Sequence, residues 1–342
     1  MNSLSFLGPI EGRKILYAVL NWGLGHATRS IPVIRSLANN NQIWIGSNGL
    51  SLELLKKEFP DLPTVELPPY NINYKKKSFL SSMITQTPKV MLAMSKELDL
   101  TEVLVEKHEI DLVISDHRLG CHSNLCESII IAHHIQIQTQ IGFFGLIGSK
   151  INKFFINQFD TCWIPDYENR QMCLGGDLSD SRGLKSSKYI GPLSRFKKSS
   201  SDITYDICVV LSGPEPARTR LEKKLFEILS DLDLKVFFVA GSGSITLSEH
   251  PLIDFSSLSD SATLNKAINS SRLVISRSGY STVMDLVNLG KRAILIPTPG
   301  QTEQEYIARH LANREEFHFV NEDELNESTF KDYWNSVVSQ LS

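Results

Sequence analysis

The sequence is short of paired cysteines, of long apolar runs and of excess charge of either sign, and each shortage excludes a class of protein. Its five cysteines, Cys121, Cys126, Cys162, Cys173 and Cys208, are an odd number scattered through the middle of the chain. That argues against a disulfide framework and for a reducing compartment. Nowhere do 18 apolar residues run together, so no ordinary membrane-spanning helix is expected. The start, "MNSLSFLGPIEGRK", lacks a basic region ahead of its apolar run and does not read as a signal peptide. Lys and Arg number 35 against 38 Asp and Glu, a formal net charge of -3. A chain so balanced has no global attraction to nucleic acid, and any anion site in it must be local. These absences lead us to expect a soluble cytoplasmic protein with no nucleic-acid partner.

What is present is ordinary globular composition, 42% hydrophobic and 21% charged over 342 residues, and that length exceeds what one hydrophobic core supports. The apolar run "KILYAVLN" (14–21) stops at a glycine turn, "WGLGH". "ATRSIPVIRSL" follows, with Ile31, Ile34 and Leu37 at helical spacing. The same alternation recurs at "QIWIGS" with "LSLELLKKEF", and at "DLVISD" with "SNLCE" and "SIIIAHHIQIQ", and further short strands are read at "TCWIP" and "KYIGPL". Basic, Ser-rich "SRFKKSSSDITY" then reads as a linker, after which strand and helix alternate again from "DICVV" onward. The expected organisation is α/β, two Rossmann-like domains with parallel sheets: 13–193, a linker 194–204, then 205–325. A last helix over 326–342, carrying Tyr333, Trp334 and Val337, is expected to return to the amino-terminal domain.

The densest punctuation lies in "LVISRSGYSTVMDLVNLGKRAILIPTPGQTEQEYIARHL" (273–311). After the strand, Arg277, Ser278, Gly279, Ser281 and Thr282 crowd one turn. Ser281 is expected to cap a helix that Gly290 stops. Free amides at that helix mouth favour an anion, and Gly279 lets a phosphate approach. Asp285, one turn further in, is placed to accept from both hydroxyls of a ribose. The same residues also suffice for a plain helix cap with a balancing charge. Gln301, Thr302, Glu303, Gln304 and Glu305 open the next helix after a Pro-rich loop and offer donors and acceptors for sugar hydroxyls, or a solvated first turn.

This stretch resembles the donor-binding signature of GT-B-fold glycosyltransferases, in particular the family of the peptidoglycan N-acetylglucosaminyltransferase that makes lipid II. By motif position the resemblance assigns Ser278, Gly279 and Thr282 to a diphosphate, Asp285 to the ribose, and Gln304 with Glu305 to the sugar. Asp285 stands where the family carries Glu, and Glu305 where it carries a second Gln. "SGPEPARTR" (212–220) is similar to the family's Gly-rich turn with Arg, which carries over Gly213 and Arg218, and Phe255 falls in the segment that meets the base. Arg277, Ser281 and Gln301 complete the donor-side set.

"NWGLGHATR" resembles the first Gly-rich loop of the same fold, with Gly23 and Gly25 on the acceptor side and a His at its end. Transfer to a hydroxyl needs a base, and an imidazole suits that task. His26 is the candidate, with Asp116, which closes "DLVISD", to orient it. The resemblance implies a hexosyltransferase that takes a nucleotide-sugar, UDP-linked, to an acceptor hydroxyl with inversion, without metal or cofactor. The acceptor is unknown, with lipid-linked and glycan acceptors both open. Two alternatives remain at this point. "GHATR" is also similar to the loop of the pseudaminic-acid pathway's UDP-sugar hydrolase, and a non-catalytic nucleotide-sugar-binding protein would carry the same donor turn. Residues 73–98 hold five lysines against one glutamate with apolar residues between them. They read either as a peripheral membrane contact or as a helix with a solvated basic face, its apolar stripe broken at Pro88. The His and Cys residues between 117 and 134 lack the paired short spacings of a zinc site.

Overall fold

The computed structural model describes residues 10–70, 79–137, 142–239, 250–256 and 260–339. It divides into two compact units, Met1–Leu193 and Ser194–Ser342. The amino-terminal unit is built on β1 (Lys14–Val19), β2 (Gln42–Ser47), β3 (Thr64–Glu66), β4 (Leu112–Asp116), β5 (Glu127–Ile131), β6 (Thr161–Ile164) and β7 (Ser187–Tyr189). These form one sheet in the order β3-β2-β1-β4-β5-β6-β7, paired in parallel throughout. β1 and β4 are buried along almost their whole length, as unbroken apolar runs in the middle of a parallel sheet must be. Helices α1 (Gly25–Leu37), α2 (Gly49–Glu58), α3 (Phe79–His108) and α4 (Gly142–Ile156) cover it. α1 buries Ala27, Ile31, Ile34 and Leu37, one face at helical spacing.

The carboxy-terminal unit repeats the plan with β8 (Tyr205–Val210), β9 (Val236–Val239), β10 (Ile253–Ser256), β11 (Ser271–Ser276), β12 (Arg292–Leu295) and β13 (Phe317–Phe319). Their order is β10-β9-β8-β11-β12-β13. α5 (Ala217–Ser230), α6 (Ser261–Asn269), α7 (Tyr280–Leu289), α8 (Thr302–Leu311) and α9 (Glu327–Ser339) flank the sheet. In each sheet the strand order reverses once, between β1 and β4 and between β8 and β11, and crevices for ligands open at the carboxyl ends of strands beside such a reversal.

The structure departs from the sequence reading in five places. "SNLCE" is not a helix: between β4 and β5 the described backbone makes only turns and bends, braced by the Ser128 hydroxyl, which accepts from the Ser123 amide and donates to the Ser123 carbonyl. α3 continues through Pro88 to reach 30 residues. The Ser-rich segment after residue 193 is strapped to the carboxy-terminal unit rather than loose. Phe196 is buried, and the backbone of Lys197 and Ser199 donates to Asn265 and Asn269 of α6. α9 sends Phe330 and Val337 into the carboxy-terminal core beside Leu221, Leu225 and Ile275, with Tyr333 and Trp334 against it, instead of leaving for the amino-terminal unit. Finally, α7 is capped by the backbone of Gly279 and not by Ser281, because the helix already begins at Tyr280.

Candidate active site

In the amino-terminal unit the polar cluster sits where β1, β4 and β5 end side by side, with Val19 in register with Asp116 and Asp116 with Ile131. β1 gives way to a turn in which Gly23 takes a left-handed φ of 70°. A Cβ there would meet nothing within 4 Å, so it is the backbone conformation that asks for glycine. Gly25 starts α1 and puts His26 in its first turn. His26 Nδ1 lies 2.7 Å from Asp116 Oδ1, and the His26 side chain keeps 15% of its exposure while that of Asp116 has none.

Asp116 is met on both oxygens. Oδ2 accepts from Arg29 Nε at 2.8 Å and from the Ser30 hydroxyl at 3.1 Å, and Oδ1 accepts from Arg29 Nη2. Burial would push this carboxyl up, but the charge of Arg29 and then the neighbouring His26, with their hydrogen bonds, hold it well below the usual carboxylate range. Arg29 Nη1 reaches His133 Nδ1 at 2.8 Å, just past β5. His117, directly after Asp116 and with its ring 6.0 Å from that of His26, is kept well below the ordinary imidazole value first by burial and then by its nearness to the His26 ring, the Arg29 guanidinium and the His133 ring. The arrangement therefore holds one fixed anion, one fixed cation and an imidazole tied to the anion through its Nδ1.

In the carboxy-terminal unit β11 ends at Ser276 and the chain turns through Arg277, Ser278 and Gly279 into α7. A Cβ added to Gly279 would meet only Thr282 Oγ1, at 3.9 Å, so there is open space before the first turn of α7. Ser281 and Thr282 are half-buried there. Ser278 is fully buried and its hydroxyl donates to the Gln304 carbonyl at 2.8 Å. Arg277 does not reach a ligand position: it is buried, donates to the carbonyls of Pro297 (3.0 Å) and Ala217 (2.9 Å) and pairs with Glu322 at 2.8 Å. It ties the ends of β11 and β12 to the start of α5. Asp285 is half-buried and accepts from the Ser194 hydroxyl. Burial pushes its carboxyl up to about 7 despite Ser194 and Arg195.

The Pro-rich loop is braced from α8. Gln304 Oε1 accepts from the Thr298 amide at 2.9 Å, and Glu305 Oε1 from the Gly300 amide at 2.8 Å. Gln301 is the half-buried residue that caps α8 through its backbone. Gly213 has φ 117° and faces Thr298 across the strand ends, and Arg218, 5% exposed, pairs with Glu215. Phe255 is 38% exposed and closes a group of rings with Phe226 and Phe238. The donor-side residues thus gather at the ends of β8, β10, β11 and β12, with Arg277, Gln304 and Glu305 engaged by their own loops. Three contributors went unread in the sequence: Arg29, His133 and Ser194. Arg29 lies three residues from His26 on the same helical face, a signal that was available. His133 and Ser194 are fixed by strand register and by the strapped segment, which sequence does not display.

Comparison with known proteins gives these surfaces a context. Residues 222–339 match the glycosyltransferase family 28 C-terminal domain, and residues 13–132 match glycosyl transferase family 1. An uncharacterized glycosyltransferase of Methanosarcina acetivorans is 25% identical over 85% of this chain and 79% of its own length. The glycotransferase of kitacinnamycin superposes with a TM-score of 0.69 at 11% identity, over 97% of this chain and 92% of that one. Acinetobacter baumannii MurG superposes with a TM-score of 0.57 at 12% identity, over 95% and 90%. The spinosyn rhamnosyltransferase SpnG complexed with thymidine diphosphate gives 0.64 at 14% identity, over 95% and 92%. The fold is that of GT-B glycosyltransferases.

Proposed function

The chain is a GT-B-fold glycosyltransferase that carries a family 28 C-terminal domain, and from that premise we propose that it moves a sugar from a UDP-linked donor to an acceptor hydroxyl with inversion and without a metal ion. The observation that carries the reading is the 2.7 Å contact between His26 and the buried anion Asp116. It orients the imidazole so that Nε2 is the nitrogen that acts as the base. As the acceptor oxygen bonds to the anomeric carbon, its proton passes to His26 Nε2. The bond from that carbon to the diphosphate oxygen breaks on the opposite face, and the nucleoside diphosphate leaves with the electron pair. Such a base typically contributes ~10²- to 10⁴-fold.

The leaving diphosphate is received by the amides of the first turn of α7, worth about 0.3–1 kcal/mol from the helix dipole before any direct hydrogen bond is counted. Ribose hydroxyls replace Ser194 on Asp285, and Phe255 offers its exposed ring to the base. Gln304 holds its loop through Oε1 and turns its amide NH2 to the sugar. Two measurements test this. Asp285→Ala raises the Kd for a UDP-sugar at least tenfold. Wild-type protein releases UDP quickly only when an acceptor is present, whereas fast release into water alone makes it a hydrolase.

For the acceptor, the face of α4 favours an amphiphilic molecule presented at an anionic lipid surface. Leu146, Ile151 and Phe154 are 65%, 53% and 62% exposed. With Ile147 and Lys150 they fall within roughly 140° of one helical face. Residues 128–159 contain no Asp or Glu, and a basic amphipathic face of this kind suits a membrane interface. The contact expected over residues 73–98 lies partly outside the described residues, which omit 73–78 and the side chains to 88. Co-sedimentation with phosphatidylglycerol vesicles is expected for the wild type and lost in Phe154→Asp. Equal sedimentation of the two proteins removes this reading of the acceptor.

A further inference from the structure

Arg29 sits between two imidazoles and one carboxylate with 2% of its side chain exposed, and its chemistry dictates where their protons lie. A guanidinium only donates hydrogen bonds. Its 2.8 Å contact from Nη1 to His133 Nδ1 therefore makes that nitrogen an acceptor, and the ring proton of His133 sits on Nε2. On the other side, Nε and Nη2 fork onto the two oxygens of Asp116. The ionised carboxylate only accepts, so its 2.7 Å contact with His26 is a hydrogen bond only when Nδ1 of His26 carries the proton. The 2.9 Å approach of Arg29 Nη2 to His26 Nδ1 is then two donors converging on one shared acceptor, Asp116 Oδ1.

We propose that Arg29 is a positioning residue that sets opposite tautomers on its two histidines, leaving a lone pair on His26 Nε2 and a proton on His133 Nε2. The tautomers are properties of the folded protein, and only their kinetic consequence rests on reading His26 as the base. Hydrogen positions of this kind follow from the bonding network and are open to direct observation. The polar groups that bear on this cluster are Arg29 and Ser30 of α1, Tyr17 of β1, Asp116 of β4, and His117 and His133 beyond β4 and β5. Tyr17 is itself pushed up by burial and by Asp116, so it enters as a neutral phenol. Arg29 is then the one fixed cation among them.

The direct test is the ring-nitrogen spectrum of the whole, histidine-labelled protein near neutral pH, with His26→Gln and His133→Gln to assign the signals. The proposal expects the His26 proton on Nδ1 and the His133 proton on Nε2. A His133 proton on Nδ1, or two doubly protonated rings, overturns it whether or not any sugar is transferred. The kinetic arm uses Arg29→Met and Arg29→Lys. Arg29→Met is expected to lower kcat at least ~10²-fold, with the donor KM within about threefold. The acidic limb of the rate profile should rise by about one pH unit as the cation leaves, and Arg29→Lys should recover part of each change. An unaltered pH limb in Arg29→Met contradicts the proposal, since a merely structural arginine would change yield or stability and leave the limb in place. Should Arg29→Met not fold, His133→Gln and His133→Leu take its place. Gln retains an acceptor for Arg29 Nη1 and must lose less kcat than Leu, and equal losses overturn the proposal.

Discussion

A carboxylate with none of its side chain exposed survives as an anion only when charge or hydrogen bonds surround it, and Asp116 has Arg29, Ser30 and His26 for that purpose. Asp285 is the opposite case. Its neighbours supply the Ser194 hydroxyl and the charge and backbone amide of Arg195, but burial dominates and pushes its carboxyl up to about 7. The sign of the consequence follows from which form binds. A ribose offers hydroxyls, and the charged carboxylate accepts both, whereas below about pH 7 the proton must first leave. Donor affinity is therefore expected to be flat above neutrality and to weaken as pH falls below it, by at most tenfold per unit. Titration calorimetry with a UDP-sugar between pH 5.5 and 8 checks this, and Asp285→Asn should bind weakly with no such slope. The places of His26, Asp116 and Asp285 in the fold were legible from the sequence because each stands at a strand end or helix turn whose position alternation and glycine reveal. Arg29 to His133 was not, because that contact spans 104 residues and depends on which strands lie adjacent.

Helix ends separate two uses of glycine. Gly290 stops α7 in the left-handed conformation, φ 64°, with Lys198 Nζ 3.3 Å from where a Cβ would stand. Gly279 opens the same helix with an ordinary φ of -68° and free space in front of it. Gly290→Ala is thus expected to cost about 1 kcal/mol of stability and leave donor binding alone. Gly279→Ala should leave stability within about 0.5 kcal/mol and raise the donor Kd at least tenfold, because its methyl fills the approach of the diphosphate. Thermal unfolding and nucleotide binding of the two variants give that crossed pattern, and loss of both properties in both variants contradicts it. The stop at Gly290 was readable because a glycine follows the last apolar turn. The start was misread by two residues: Ser281 looks like a cap, but the backbone of Gly279 is already extended and Tyr280 is buried in the first turn.

At the scale of the whole chain, the described residues form two parallel sheets of seven and six strands, and each sheet places a reversal of strand order beside its most heavily punctuated loops. Repeated strand-turn-helix alternation made this plan legible, since buried parallel strands are bounded apolar runs whatever the remaining sequence does. The segment after residue 193 and α9 were assigned to the wrong surroundings. A Ser- and Lys-rich stretch conceals the single buried Phe196, and an amphipathic helix carries no address for the core it covers. The central claim, a base at the strand ends of one unit and a nucleotide-sugar seat in the other, separates binding from chemistry. It is tested most directly by measuring UDP-sugar affinity and transfer rate side by side in His26→Ala. The account predicts a Kd within about twofold of wild type and transfer reduced at least ~10²-fold. Transfer at the wild-type rate in that variant would contradict it.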